Sequence, residues 1–113
     1  MATAFNSIAL ECATFQVNGT LTVGEPCKMV ADKTVGLCAS GNDFIGVVQQ
    51  VRGKTATVAI RGFVTVPYSG TMPTVGRTAL VGNGSHGVVT GDAGTVRTVV
   101  YRDQENKTVT FLL

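Results

Sequence analysis

Apolar residues in this chain occur in short runs, separated by clusters rich in glycine, proline, asparagine and aspartate. The alternation is clearest in residues 55–68, where the apolar side chains share one parity and threonines take the other. Successive side chains of a strand point to opposite faces, so this pattern predicts one long strand, bent or bulged at Gly62. The apolar positions of that strand are Ala56, Val58, Ile60, Val64 and Val66.

Turn signals divide the rest of the chain into hairpins. Asn18-Gly19 follows the apolar run 8–17 and predicts a tight turn, with residues 21–23 as the returning strand. Residues 44–51 are interpreted as a central strand. Three further hairpins are predicted, pairing residues 27–31 with 35–39, 77–81 with 86–90, and 95–102 with 107–113.

These elements predict an all-β fold: a compact single-domain barrel or sandwich of about eight to ten short, mostly antiparallel strands, with little helix. The 18 valines and 16 threonines favour strands, because a branched Cβ fits a pleated sheet better than a helix. A length of 113 residues suffices for one hydrophobic core, so residues 1–113 are treated as one domain. Residues 1–7 could form a flexible N-terminal arm. In the last strand, Val109 and Phe111 alternate with Thr108 and Thr110, which predicts one buried and one solvated face.

Charge is scarce: charged residues make up 14% of the chain, against about 25% in an ordinary domain. This composition predicts that a partner covers part of the surface. The net charge is +2 and the acids are spread among the bases, so no nucleic-acid partner is indicated. The chain has neither a signal-peptide pattern at its start nor an apolar run of membrane-spanning length, which predicts synthesis in the cytoplasm and no membrane contact.

The candidate residues for chemistry are few. His86 is the only histidine and lies in a Gly-Ser-His-Gly turn, where a solvated ring is expected. Six of the seven acids, Glu25 among them, lie in or beside predicted turns, where carboxylates ordinarily cap backbone N–H groups. We therefore expect no catalytic site, no cofactor and no enzymatic activity. A carrier domain, with Lys28 as its modified lysine, is the alternative, but Lys28 follows Pro26 inside an apolar strand rather than at a hairpin tip.

The three cysteines, Cys12, Cys27 and Cys38, each lie in an apolar run. They are predicted to be buried, reduced thiols that act as small hydrophobic side chains. A zinc site is the alternative interpretation, although the cysteines are separated by more residues than in the usual C-x₂₋₄-C spacing of zinc ligands.

A loop at residues 69–73 is flanked by Phe63, Tyr68 and Met72. Clustered apolar side chains beside an uncharged loop are typical of subunit contacts, so these three residues are predicted to lie in an interface between copies of the chain. The alternative is that they close the ends of the core.

The order of motifs between Val23 and Tyr68 resembles that of bacteriophage and prophage capsid decoration (head cement) proteins. Those motifs are Val-Gly-Glu-Pro-Cys, a hairpin around Asp32-Lys33, Ala-Ser-Gly-Asn-Asp-Phe-Ile-Gly-Val-Val, and Gly-Phe-Val-Thr-Val-Pro-Tyr. The similarity continues through Pro-Thr-Val-Gly and the closing Lys-Thr-Val-Thr-Phe-Leu-Leu, and it covers most of the chain.

This resemblance implies a non-enzymatic structural protein on the capsid exterior of a virion. Its partners would be the major capsid protein and copies of itself, most often as a homotrimer over local threefold sites. It would strengthen the shell after DNA packaging expands it. In lambda-like relatives an N-terminal arm reaches the capsid, and here residues 1–7, with Phe5, would take that part. A receptor- or glycan-binding module of a phage tail or baseplate is the alternative function.

Overall fold

The structure is a computed structural model that describes residues 10–113. These residues form ten strands and no helix, which confirms the predicted all-β class. All of the strand pairings except β1 with β3 are antiparallel. The strands are β1 (Glu11–Val17), β2 (Pro26–Ala31), β3 (Thr34–Leu37), β4 (Gly46–Arg52), β5 (Thr55–Arg61), β6 (Phe63–Pro67), β7 (Gly76–Gly82), β8 (Val88–Thr90), β9 (Thr95–Asp103) and β10 (Thr108–Leu112).

The first five strands close into a small barrel in the order β1-β3-β2-β4-β5, and the other five form a sheet in the order β6-β10-β9-β7-β8. Barrel and sandwich, predicted as alternatives, are thus combined: a barrel packs against a sheet. Side chains of β4 show how. Val48 joins the cluster inside the barrel, whereas its neighbour Val47 joins a second cluster with residues of the sheet. The chain therefore builds two hydrophobic clusters on opposite sides of the barrel wall, where one core was expected.

The predicted long strand is two strands in different sheets. The break lies at Gly62, as expected, where a φ of 111° turns the chain from β5 into β6. β5 pairs with β1 and β4 in the barrel, while β6 pairs with β10 in the sheet. The alternation of apolar and polar residues continues from β5 into β6 because each strand buries its own apolar face. The exception is Ile60, which lies just before the turn and is 41% exposed.

The predicted hairpin at Asn18-Gly19 is wrong. Residues 21–23 form no strand, because both edges of β1 are already occupied, by β5 and by β3. The Asn18 N–H instead donates to the Val35 carbonyl at 3.0 Å, and Leu21 enters the barrel cluster. The other three predicted hairpins are confirmed as β2–β3, β7–β8 and β9–β10. In β10, however, Thr110 is buried, with its Oγ 2.7 Å from the Thr65 Oγ on β6.

Polar contacts join the segment that precedes β4 to strand β9. The Asp43 carboxylate accepts bonds from the Thr95 N–H at 3.0 Å and the Thr95 hydroxyl at 2.6 Å. Arg97 donates to the Phe44 carbonyl at 2.8 Å and lies over the Phe44 ring, 4.8 Å from its centroid. Burial lowers the pKa of the Arg97 guanidinium, and the nearby Asp43 carboxylate opposes that shift. The barrel and the sheet are therefore joined by polar contacts as well as by packing.

Candidate functional site

Two neighbouring clefts lie where the connection between β1 and β2 meets β6. The first has a volume of about 330 Å³ and the second about 280 Å³, and both are lined by Val23, Gly24 and Thr65. Val23 is 59% exposed, so its side chain lies at the surface where the clefts meet. The first cleft is further lined by Thr22, Glu25, Pro67 and His86, and the second by Leu10, Val47, Val48, Gln49, Phe63 and Val64.

An acid and a histidine meet in the first cleft. The Glu25 side chain is 2% exposed, and one of its carboxylate oxygens accepts the Thr22 N–H, the capping contact expected from the sequence. The other oxygen contacts Nδ1 of His86, whose side chain is 65% exposed. The expectation of a solvated histidine ring is thus only half right. The sequence gives no local sign of this contact, since 61 residues separate Glu25 from His86 and they adjoin strands of different sheets.

The three predicted interface residues that the structure describes do not lie together on one surface. Tyr68 is 7% exposed and belongs to the cluster between barrel and sheet, and Met72 packs against the same cluster. For these two, the structure matches the alternative in which they close the core. Phe63 is half-buried and lines the second cleft. Phe5 lies outside the described residues.

A different apolar surface appears on the five-stranded sheet, on the side away from the core. The strand register sets which residues share it: Leu112 lies between Phe63 and Thr98, and Tyr101 pairs with Thr110. We call this side the outer apolar face. Its exposed apolar side chains are Val96, Tyr101 and Leu112, with exposed fractions of 46, 53 and 38%. The sequence pattern did not reveal it, because an apolar residue in an alternating strand is expected to point inwards.

The cysteine prediction holds for two residues of three. Cys27 and Cys38 are buried, whereas Cys12 is exposed. Cys12 shares its parity in β1 with Thr14 and Gln16, which are also exposed, so it lies on the solvated face of that strand. The run 8–17 does not alternate strictly between apolar and polar residues, so the sequence did not show which face of the strand Cys12 would occupy.

The buried thiols should be unreactive in the folded protein. Burial raises the pKa of Cys27 to about 12 and that of Cys38 to about 11. Both values lie above 9.0, the ordinary pKa of a cysteine thiol in an unfolded chain. The buried, protonated thiols therefore contribute their full stabilisation of the fold up to about pH 9. That stability is lost as the pH rises towards 11 and 12. We expect a thiol-reactive disulfide reagent at pH 8 to modify one cysteine rapidly in the native protein and all three in denaturant.

Cys12→Ser provides the control for this titration, since it should abolish the rapid phase without changing the fold. Rapid modification of two or more thiols in the native wild-type protein would contradict the buried positions of Cys27 and Cys38.

The remaining sequence candidates can be placed as well. Lys28 lies within β2, and its Nζ donates to the Asn42 side chain at 2.6 Å, a setting unlike the exposed hairpin tip of a carrier lysine. Within residues 10–113, no group of three or more His, Cys, Asp or Glu side chains is arranged to hold a metal ion. The same stretch contains no helix that could cross a membrane. Comparisons of the chain with protein-family models and with curated protein sequences find no match.

Proposed function

We propose that this protein is a non-enzymatic structural protein that binds the exterior of a phage capsid and stabilises the shell. The observation that carries the proposal is the outer apolar face, on which Val96, Tyr101 and Leu112 are exposed together on one side of a sheet. The motif order between Val23 and Tyr68, which resembles that of capsid decoration proteins, supports the same function.

The proposed mechanism is burial of apolar area. Each Å² of apolar surface removed from water contributes about 25 cal/mol, and a stable protein interface buries about 1,200–2,000 Å² in total. We infer that the outer apolar face contacts the major capsid protein or a second copy of this chain, with the homotrimer as the expected assembly.

The test is binding to expanded heads of the phage or prophage that carries the gene. We expect the wild-type protein to raise the temperature at which the heads disrupt. Tyr101→Asp should weaken head binding about tenfold or more, because it places a charge within a desolvated contact. Tyr101→Phe is the matched control and should bind nearly as well as the wild type. Absence of wild-type binding to its own heads would refute the proposal.

One observation favours the alternative function. The Tyr101 ring is 53% exposed, and exposed aromatic rings are common in carbohydrate sites. If the protein is instead a receptor- or glycan-binding module of a tail or baseplate, a glycan array should show micromolar binding that is lost in Tyr101→Ala. The head-binding assay would then show no effect on disruption.

A further inference from the structure

We propose that Glu25 and His86 form a proton-operated clasp that ties the barrel to the five-stranded sheet. Glu25 directly precedes β2 in the barrel, and His86 lies in the connection between β7 and β8 of the sheet. Their contact crosses the first cleft, so it joins two parts of the fold that are far apart in the chain.

The acidic half of the clasp is held rigidly. The Glu25 carbonyl accepts the Val48 N–H at 2.9 Å, and the Val48 carbonyl accepts the Gly24 N–H at 2.8 Å, so β4 fixes the backbone on both sides. The carboxylate itself is buried. A buried charge is costly unless it is hydrogen-bonded and paired, and the partners of this one are the Thr22 N–H and His86.

The loop between β7 and β8 fixes the position of His86. The Asn83 side chain accepts the N–H groups of Ser85 at 2.7 Å and Gly87 at 3.1 Å, which closes the turn around His86. Gly87 packs so closely on β6 that a Cβ there would lie 2.5 Å from the Pro67 carbonyl oxygen. His86 has a φ of 73°, a left-handed conformation that is strained for histidine. Such strain persists where the surrounding structure imposes it, and it concentrates at functional positions.

The charge of the clasp depends on one proton. The other described residues that line this cleft are Thr22, Val23, Gly24, Thr65 and Pro67, so Glu25 and His86 are its only titratable groups within residues 10–113. Histidine changes its charge between about pH 5 and 8. A protonated ring forms an ion pair with the carboxylate in addition to the hydrogen bond, while a neutral ring contributes the hydrogen bond alone. The clasp is therefore tighter in mild acid and looser above neutral pH.

Thermal unfolding at several pH values tests the clasp. We compare the wild type with His86→Asn, in which asparagine tolerates the left-handed backbone but does not provide an imidazole. The loss of Tm caused by His86→Asn should be larger at pH 5.5 than at pH 8, by about 4 °C or more. His86 is the only histidine, so no other imidazole can produce this difference.

Glu25→Gln is the second variant, because it keeps the shape of the side chain and removes its charge. In that background, His86→Asn should cost the same Tm at both pH values. The wild-type Thr22 amide offers a measurement without mutation: its hydrogen-exchange protection, corrected for the intrinsic rate, should fall between pH 5.5 and 8. A loss of Tm that does not depend on pH, or Thr22 protection that does not depend on pH, would overturn the clasp.

Discussion

Gly46→Ala should strongly destabilise the barrel, because no space exists for a methyl group between β4 and β5. A Cβ at Gly46 would lie 2.1 Å from the Ala59 carbonyl oxygen and 2.8 Å from a Val58 methyl group. The nearer obstacle is backbone of the adjacent paired strand, and it cannot move without breaking the pairing of Val47 with Ala59. We expect a loss of about 3 kcal/mol or more in the free energy of unfolding, the upper range for overpacking.

Gly36→Ala is the matched control, since Gly36 also lies in a barrel strand and its backbone is not left-handed. Its nearest obstacle is a Val30 methyl group at 3.1 Å, and Val30 is 40% exposed and free to change rotamer. We expect a change within about 1 kcal/mol, because alanine also restricts the unfolded chain. Urea unfolding followed by circular dichroism measures both variants. Equal stabilities would show that the β4–β5 contact is looser than described.

The motif Ile-Gly-Val-Val, part of the resemblance to decoration proteins, thus has a packing reason. Its glycine allows β4 to approach β5, and its two valines face the two hydrophobic clusters. The motif therefore indicates how the barrel is packed, and it does not indicate a catalytic or binding activity.

Tyr68→Asp should abolish folding. Tyr68 is 7% exposed, within the cluster that holds the barrel and the sheet together. The substitution removes a large buried ring and introduces a carboxylate with no counter-charge in that cluster. Truncation of a buried aromatic residue alone costs about 3–5 kcal/mol, and a buried unpaired charge adds to that loss. We expect an unfolded far-UV spectrum.

Tyr101→Asp is the matched control, with the same exchange at an exposed position on β9. It should leave the spectrum and the Tm nearly unchanged, while it weakens any contact made through the outer apolar face. Sedimentation of both variants beside the wild type separates folding from assembly. A folded Tyr68→Asp protein that dissociates from oligomers would instead support Tyr68 as a subunit contact.

Local patterns were enough to predict the class of the fold and the positions of most strands. Alternation between residues 55 and 68 gave four buried positions of β5 and β6, with Ile60 as the exception, because the period of a strand does not depend on its partner. Turn residues predicted three hairpins correctly for a similar reason: neighbouring strands with a short connection have few other ways to pair. The bend at Gly62 was predicted from a single residue.

Which strands pair, and which side chains meet, could not be predicted in this way. β1 pairs with β5 and β3 rather than with the segment after Asn18-Gly19, because closing the barrel satisfies both of its edges. The contact between Glu25 and His86 depends on how the barrel lies against the sheet. The outer apolar face depends on the register of β9 with β10, which a bulge after Thr110 shifts. Periodicity along a chain specifies two faces for each strand, but the free energy of packing all the strands together selects which face is buried and what covers it.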